Sequence, residues 1–318
     1  METLRSALET RQVMIYFMAI IGGAAFGLAV PAASALESIM NPSLVVMLFA
    51  TFLQVPLVEI AAALRNVRFI GALVVANFVV MPLVSASLIQ LLPADPMLRL
   101  GVLFVLLAPC IDYVITFTHL GRGNARLLLA MTPVLLFLQM LLLPLHLGFI
   151  LGGEVAHIVE AGPFLHAFIW LIVVPLVLAA VVQALMRRSE TAAKAGAVFD
   201  LLPVPATAFV LFVVLASVMP QIGLAQGVAL HAAPIYIAFA LIAPLVGKFA
   251  ASLMRLDAVS ARAVAFSASY RNSLVILPLA FAVPGGVPVL PAVILAQTIV
   301  ELCFLPVYVR VIPRLFRG

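Results

Sequence analysis

The stretch GVLFVLLAPCIDYV, residues 101–114, interrupts a long apolar run with a proline, a thiol and a carboxylate. Proline removes a backbone hydrogen bond and clashes with the preceding turn, so it frees carbonyl oxygens inside a helix. A second stretch, SASYRNSLVILP at residues 267–278, holds six polar or semi-polar side chains within its first seven positions. Such side chains face lipid only at a high energetic cost. Both stretches therefore predict broken helices whose polar residues face the interior of a membrane protein.

The composition of the chain also indicates a membrane protein. Of its 318 residues, 66% are apolar and 9% are charged, and the mean hydropathy is +1.29. A soluble domain needs far more polar surface than this. The apolar runs are about 20 residues long, which is the length of a spanning helix rather than of a barrel strand. We therefore predict an all-α polytopic membrane protein.

Apolar runs separated by short polar segments predict ten transmembrane helices. Their expected ranges are 13–31, 41–64, 69–92, 99–120, 125–152, 163–186, 200–222, 231–255, 259–283 and 288–312. A cleaved signal peptide is the alternative for the first range, because Arg5 and Arg11 precede an apolar stretch there. That stretch is longer than the roughly 7 to 15 apolar residues of a usual signal peptide, so a spanning helix is favoured.

Basic residues gather on one side of this predicted topology. Of the 17 lysines and arginines, only Arg99 falls in the opposite loops, and only Lys248 and Arg271 fall within helices. By the positive-inside rule, the crowded side is cytoplasmic, and both termini lie there. Because the basic residues are scattered among short loops, they form no single face for a nucleic acid. The expected location is the cytoplasmic (inner) membrane of a bacterium.

An internal repeat relates the two halves of the chain at an offset of 162 residues. The matched pairs are Pro82 and Pro244, Cys110 and Asn272, Gln139 and Glu301, and Pro144 and Pro306. Five helices per half is an odd number, which predicts two inverted five-helix repeats, 1–157 and 158–318. Inverted repeats create a site at the midplane, where discontinuous helices meet, and alternately expose it to either side. The pattern therefore favours a transporter over a channel.

The candidate site residues lie at the two breaks and in the neighbouring helices. Substrate contact is expected from Cys110, Asp112, Arg271, Asn272 and Ser273, proton or ion coupling from Glu301, Asp112 and Gln139, and helix breaking from Pro109 and Pro278. An ionisable group at membrane depth is a functional candidate by default. Structural alternatives stay open: packing for Cys110, an ion pair between Arg271 and Asp112, and a protonated, hydrogen-bonded carboxyl for Glu301.

Enzymatic activity is not expected from this sequence. It contains no HExxH, no GxSxG and no paired acidic metal motif, and its two cysteines, Cys110 and Cys303, lie apart in apolar runs. No cofactor is expected. The expected partners are a small inorganic or organic solute, a coupling H+ or Na+, and the lipid bilayer.

At these residues the chain resembles the arsenical-resistance efflux permeases, the arsenite-transporting branch of the bile acid:sodium symporter superfamily. The resemblance is most specific in PCIDYV (109–114), LGRGN (120–124), RN (271–272) and VE (300–301). It implies a panel of helices 1, 2, 6 and 7 and a core of helices 3–5 and 8–10, in which helices 4 and 9 cross as broken helices. It also implies that Cys110 is the thiolate ligand of the transported arsenic or antimony, and that Glu301 exchanges protons.

Two positions depart from the pattern of this branch. Leu274 stands where many members carry an acidic residue, and Arg271 with Asn272 replaces an expected pair of asparagines. A fixed cation at the crossing favours an anionic substrate or repels a coupling sodium ion. The leading hypothesis is arsenite and antimonite export by metalloid/proton antiport. The alternative is a sodium-coupled importer of an organic anion, in which Arg271 pairs with the anion.

Overall fold

Every regular element in the described part of the chain is a helix. The computed structural model describes residues 2–54, 64–111, 113–152, 162, 166, 169–188, 198–199, 201–222, 226–281, 283–286 and 289–316. The helices are α1 (Glu2–Ala29), α2 (Pro31–Leu53), α3 (Val67–Leu91), α4 (Pro96–Leu106), α5 (Val114–Leu120), α6 (Ala125–Leu151), α7 (Ile169–Met186), α8 (Pro203–Ile222), α9 (Gln226–Leu253), α10 (Ala258–Ser269), α11 (Ser273–Phe281) and α12 (Val289–Leu315).

Eight helical segments among the described residues are long and apolar enough to cross a membrane, and they lie in α1, α2, α3, α6, α7, α8, α9 and α12. The other four helices are shorter. Helices α4 and α5 occupy the range predicted for the fourth span, and α10 and α11 occupy the range predicted for the ninth. We call these pairs the first and second broken helix. The chain is therefore a multi-pass helical membrane protein.

One face of α6 shows how the sequence meets lipid. Phe137, Leu141, Leu145 and Phe149 follow each other at intervals of four residues, which places them on one side of the helix. All four are more than half exposed, and Phe149 is 89% exposed. Such a continuous apolar stripe is unfavourable in water and is typical of a helix that faces hydrocarbon.

The chain divides into two compact units. Unit 1 comprises Met1–Pro56 and Gly162–Ala225, and it contains α1, α2, α7 and α8. Helix α1 packs closely on α8, because Gly23 and Gly27 have no side chain to separate the backbones. A Cβ atom at Gly23 would lie 2.5 Å from the Phe212 carbonyl oxygen, and one at Gly27 would lie 2.6 Å from that of Ala216. Small residues commonly permit this close helix packing in membranes.

Unit 2 comprises Leu57–Ala161 and Gln226–Gly318, and it contains α3 to α6 and α9 to α12. Both broken helices belong to it. Helix α9 packs against α10 at another glycine, where a Cβ atom at Gly247 would meet the Ala265 backbone. All the site contacts described below lie within unit 2.

Capping residues fix where the broken helices begin. Asp95 precedes α4, and its Oδ1 accepts hydrogen bonds from the backbone N–H groups of Met97 and Leu98. Asp257 caps α10 in the same way, since its Oδ2 accepts from Val259 and Ser260. Partial burial opposes ionisation of Asp257, but the hydrogen bonds from Ser260 and Val259 outweigh it, and the pKa of Asp257 lies below its usual 3.8.

Candidate functional site

The two broken helices meet at their breaks, backbone against backbone. Pro109 and Arg271 face each other in a short antiparallel bridge. On one side the Cys110 N–H donates to the Tyr270 carbonyl over 3.0 Å, and on the other the Asn272 N–H donates to the Ala108 carbonyl over 2.8 Å. Unwound backbone in a membrane must find hydrogen-bond partners inside the protein. Here each break provides hydrogen-bond partners for backbone groups of the other.

The bridge pairs positions that are separated by the offset of the predicted repeat. Pro109 and Arg271 are separated by the offset of 162 residues, as the numbering of the sequence shows. The same offset carries Ala108 to Tyr270 and Cys110 to Asn272. The donor and acceptor of one hydrogen bond of the bridge are therefore at positions equivalent to those of the other.

Pro109 lies in the first break, but the second break does not lie at Pro278. The non-helical residues there are Tyr270, Arg271 and Asn272, and Pro278 lies inside α11. A proline in a helix removes the bond to the carbonyl four residues earlier, so its effect falls near Leu274 rather than at its own position. Asp112, the predicted carboxylate of the first break, lies outside the described residues.

Cys110 is almost fully enclosed at the bridge, with 1% of its surface exposed. Its thiol lies within electrostatic range of Arg271 and of the Tyr270 hydroxyl. The second cysteine, Cys303, is exposed on α12.

Arg271 is completely buried, and its guanidinium is bound to oxygens of the protein. Nη1 donates to the Leu106 carbonyl over 3.2 Å, and Nη2 donates to Asn77 Oδ1 over 3.2 Å and to the Ala268 carbonyl. Its central carbon also lies 5.0 Å from the centre of the Phe239 ring, a cation–π distance. Nε has no hydrogen-bond partner among the described residues.

Glu301 is a buried carboxylate that joins both breaks. Oε1 accepts a 2.5 Å hydrogen bond from the Tyr113 hydroxyl, just beyond the first break. Oε2 accepts from the Arg271 backbone N–H over 2.7 Å and from Gln297 Nε2 over 2.6 Å. Hydrogen bonds of this length are typical of a charged acceptor. Arg271 donates to this carboxylate through its backbone N–H, whereas the described hydrogen bonds of its guanidinium go to other oxygens.

The remaining predicted residues divide between the site and its surroundings. Ser273 Oγ accepts from Thr298 Oγ1 over 3.0 Å, and Asn272 Oδ1 accepts from the Val275 N–H over 3.4 Å. The Asn272 Nδ2 has no partner in the described chain. Gln139 is fully buried on α6, and both of its amide atoms lack a described hydrogen-bond partner. No hydrogen bond therefore joins Gln139 to Glu301 in the described part of the chain.

Four residues of the site were not singled out from the sequence. Asn77 links Arg271 to Ser267, Tyr113 and Gln297 bind Glu301, and the buried Tyr270 ring stacks on other aromatic rings. Asn77 carries a usable signal, because it is a polar residue in the apolar run 67–91. Tyr113 and Gln297 carry no such signal until the partner carboxylate is known, and Tyr270 lies in the polar stretch 267–273, where no role was predicted for it.

A small crevice beside the bridge has room for about one water molecule. Its wall includes Glu301, Gln297 and the hydroxyl-bearing residues Ser269, Tyr236 and Tyr308, together with apolar residues. The Tyr236 hydroxyl and Gln297 Oε1 have no hydrogen-bond partner among the described residues. The crevice thus has polar atoms without a described hydrogen-bond partner in the same wall as Glu301. Cys110 is not among the residues that line it.

Among its described residues, the site contains one thiol, that of Cys110, and one carboxylate, that of Glu301. Within the described ranges, no group of three His, Cys, Asp or Glu side chains could hold a metal ion. Resident structural and catalytic zinc sites use three or four protein ligands.

Comparison with known proteins assigns the chain to a transporter family. The profile of the Sodium Bile acid symporter family matches residues 41–224, which is more than half of the 318 residues. No curated protein sequence matches the chain. Members of this family are transporters of small solutes rather than enzymes, in agreement with the apolar spanning helices. The chain belongs to the Sodium Bile acid symporter family.

Proposed function

We propose that this transporter exports trivalent arsenic and antimony in exchange for protons. The observation that carries the proposal is the position of Cys110. It places a thiol at the junction of the two breaks, hydrogen-bonded through its backbone to Tyr270 and within electrostatic range of Arg271. Inverted-repeat transporters bind their solute at such junctions.

The thiol has the chemistry that trivalent arsenic requires. Arsenite is a neutral hydroxide at neutral pH, and its arsenic is soft, as is a cysteine sulfur. A sulfur–arsenic bond forms while one arsenic–oxygen bond breaks, and the thiol proton leaves with that hydroxide as water. The step reverses when water returns. A single thiol allows this release, whereas a set of three would retain the metalloid.

Glu301 is the proposed proton carrier. It accepts hydrogen bonds from Tyr113, the Arg271 N–H and Gln297. Protonation at Oε1 would make that oxygen a donor, and the Tyr113 hydroxyl, which can accept as well as donate, would then accept this hydrogen bond instead of donating it. Protonation would thereby alter the contacts between the two breaks. Because Glu301 also borders the crevice, a water molecule there could deliver the proton.

We propose that the two units are the panel and the core that the resemblance implies. We infer that unit 1 is the panel and unit 2 the core, since unit 2 contains both broken helices. We also infer ten spans in two inverted repeats, 1–157 and 158–318, with each broken helix counted as one span. The proposed location is the bacterial cytoplasmic membrane, with both termini in the cytoplasm, on the ground of the basic loops.

Sodium-coupled import of an organic anion is the rival function. It would need Arg271 to bind the anion, yet the guanidinium is fully buried and already donates to three protein oxygens. An anion would have to displace those acceptors. The geometry therefore gives more support to the thiol than to the guanidinium as the solute ligand.

Arsenite uptake into everted membrane vesicles tests the proposal. Vesicles with an acidic lumen and no sodium should accumulate arsenite when they contain the natural protein or the matched control Cys303→Ser. The variant Cys110→Ser should fall to the level of vesicles without the transporter, although its abundance is unchanged. Full uptake by Cys110→Ser would remove the thiol from the mechanism, and sodium-driven taurocholate uptake without arsenite transport would establish the rival.

A further inference from the structure

We propose that the Arg271 guanidinium is a built-in cation that permanently fills a cation site formed by the two broken helices. The transporter would then need no sodium ion at this position. The proposal concerns the coupling ion, and it holds whichever solute Cys110 binds.

The first observation is the nature of the groups around the guanidinium. Leu106 is the last residue of α4, and Ala268 is the next-to-last residue of α10. The guanidinium is therefore bound by carbonyls at the C-terminal ends of both first half-helices. These ends carry partial negative charge. In transporters with broken helices, such ends and unwound carbonyls are the groups that coordinate coupling cations.

The second observation is that the described hydrogen-bond acceptors of the guanidinium are neutral. Within the described ranges, the acceptors of the guanidinium are two carbonyls and the Asn77 amide oxygen, and the Phe239 ring faces it. The nearby Glu301 carboxylate binds the Arg271 backbone instead. Neutral oxygens surrounding a positive charge are the pattern of an ion cage, whereas a structural arginine in a protein core is normally paired with a carboxylate.

The third observation is that the cage draws on equivalent positions of both halves. The offset of 162 residues carries Leu106 to Ala268 and Asn77 to Phe239, and in the described part of the chain these four residues bind or face the guanidinium. The cage is thus made by both repeats, but its cation comes from one of them, because the equivalent of Arg271 is Pro109. The guanidinium is covalently attached to one half of the chain, and it occupies the position between the two halves that a mobile ion would otherwise fill.

Electrostatic repulsion prevents a mobile cation from binding while the Arg271 guanidinium occupies the cage. The Arg271 guanidinium is always protonated and cannot leave, and a second cation next to it would be repelled in a medium of low dielectric constant. Removing the guanidinium while keeping the oxygens should therefore leave an empty cage that prefers a small cation. This predicts that sodium binding is gained by losing Arg271.

Thermal unfolding of the purified full-length protein, without any solute, measures this. The midpoint of the natural protein should be equal in sodium chloride and in choline chloride of the same concentration. Arg271→Met keeps a long unbranched side chain without the charge, and its midpoint should be lower in choline and rise by about 3–6 °C in saturating sodium. Arg271→Lys keeps a cation and should not respond to sodium.

Each result decides the proposal. A sodium-specific rise in the natural protein or in Arg271→Lys would overturn it, as would a folded Arg271→Met that ignores sodium. If Arg271→Met cannot be purified even in sodium, the natural protein and Arg271→Lys still provide the test. Because no metalloid is present, failure here leaves the arsenite proposal standing, and failure of arsenite transport leaves this one standing.

Discussion

Four buried tyrosines of unit 2 differ in the hydrogen-bond partners of their hydroxyl groups, so the contribution of each hydroxyl to stability can be measured separately. Tyr113, Tyr236, Tyr270 and Tyr308 are each at most 8% exposed, so phenylalanine replaces each with little change in packing. The Tyr113 hydroxyl donates to the Glu301 carboxylate over 2.5 Å, and that of Tyr308 donates to the Ala240 carbonyl over 2.8 Å. The hydroxyls of Tyr236 and Tyr270 have no described partner.

These differences give an order of effects on the free energy of unfolding. Tyr113→Phe loses a hydrogen bond to a charged group and should cost about 2 kcal/mol. Tyr308→Phe loses a bond to a neutral carbonyl and should cost about 1 kcal/mol. Tyr236→Phe and Tyr270→Phe remove a buried hydroxyl that lacks a partner, so stability should stay the same or rise by up to about 1 kcal/mol.

Thermal unfolding in detergent can resolve this series, since about 1 kcal/mol shifts the midpoint of a large domain by roughly 2–4 °C. Tyr113→Phe should have the lowest midpoint, Tyr308→Phe the next, and the other two should match or exceed the natural protein. Equal losses for Tyr113→Phe and Tyr236→Phe would refute the assignment of Tyr113 as the partner of Glu301. A Tyr236→Phe variant that is stable but transports poorly would instead identify Tyr236 as a contact of solute or water in the crevice.

Two further predictions concern the framework of unit 2. Gly247→Ala should destabilise the protein by about 1–3 kcal/mol, because its Cβ would lie 2.9 Å from the Ala265 backbone nitrogen, whereas Gly148→Ala, with no described atom within 4 Å, should be neutral or stabilising in the same unfolding assay. Asp257→Ala should cost about 1 kcal/mol at neutral pH through loss of the α10 cap. The pKa of Asp257 in the folded protein lies below 3.8, so its stabilising contribution is present above pH 3.8 and is lost as the pH falls through the folded pKa. The stabilities of the natural protein and Asp257→Ala should therefore converge at low pH. A difference in stability that stays constant down to pH 2 would contradict this.

The sequence located the two breaks because their chemistry is local. A proline in an apolar run and a cluster of polar residues at 267–273 are visible without any structure. The prediction that they face each other rested on the repeat offset, and the bridge between Pro109 and Arg271 lies at that offset. Pro278 was less informative, because proline marks the turn that precedes it rather than its own position.

The partners of Arg271 could not be predicted from residue types. An ion pair with Asp112 was one expectation, and Asp112 lies outside the described residues. The observed acceptors include two backbone carbonyls, which every residue carries, so no sequence pattern distinguishes Leu106 or Ala268 as ligands. Only the path of the backbone at the breaks selects them.

The repeat was also a limited guide to the coupling residues. It matched Gln139 with Glu301 and suggested related roles, yet Glu301 has three donors and Gln139 has no described partner. The difference arises because Tyr113 and Gln297 have no counterparts around Gln139, as the offset places Val275 and Leu135 at the equivalent positions. The role of Gln139 in coupling stays a prediction.

The most direct test of the central claim is the pH inside proteoliposomes during arsenite transport without sodium. With a pH indicator trapped in the lumen, arsenite that enters through the natural protein should cause protons to leave, so the lumen should become more alkaline in proportion to the arsenite taken up. Arsenite entry without any lumenal pH change, or entry that begins only when sodium is added, would contradict metalloid/proton antiport through Cys110 and Glu301.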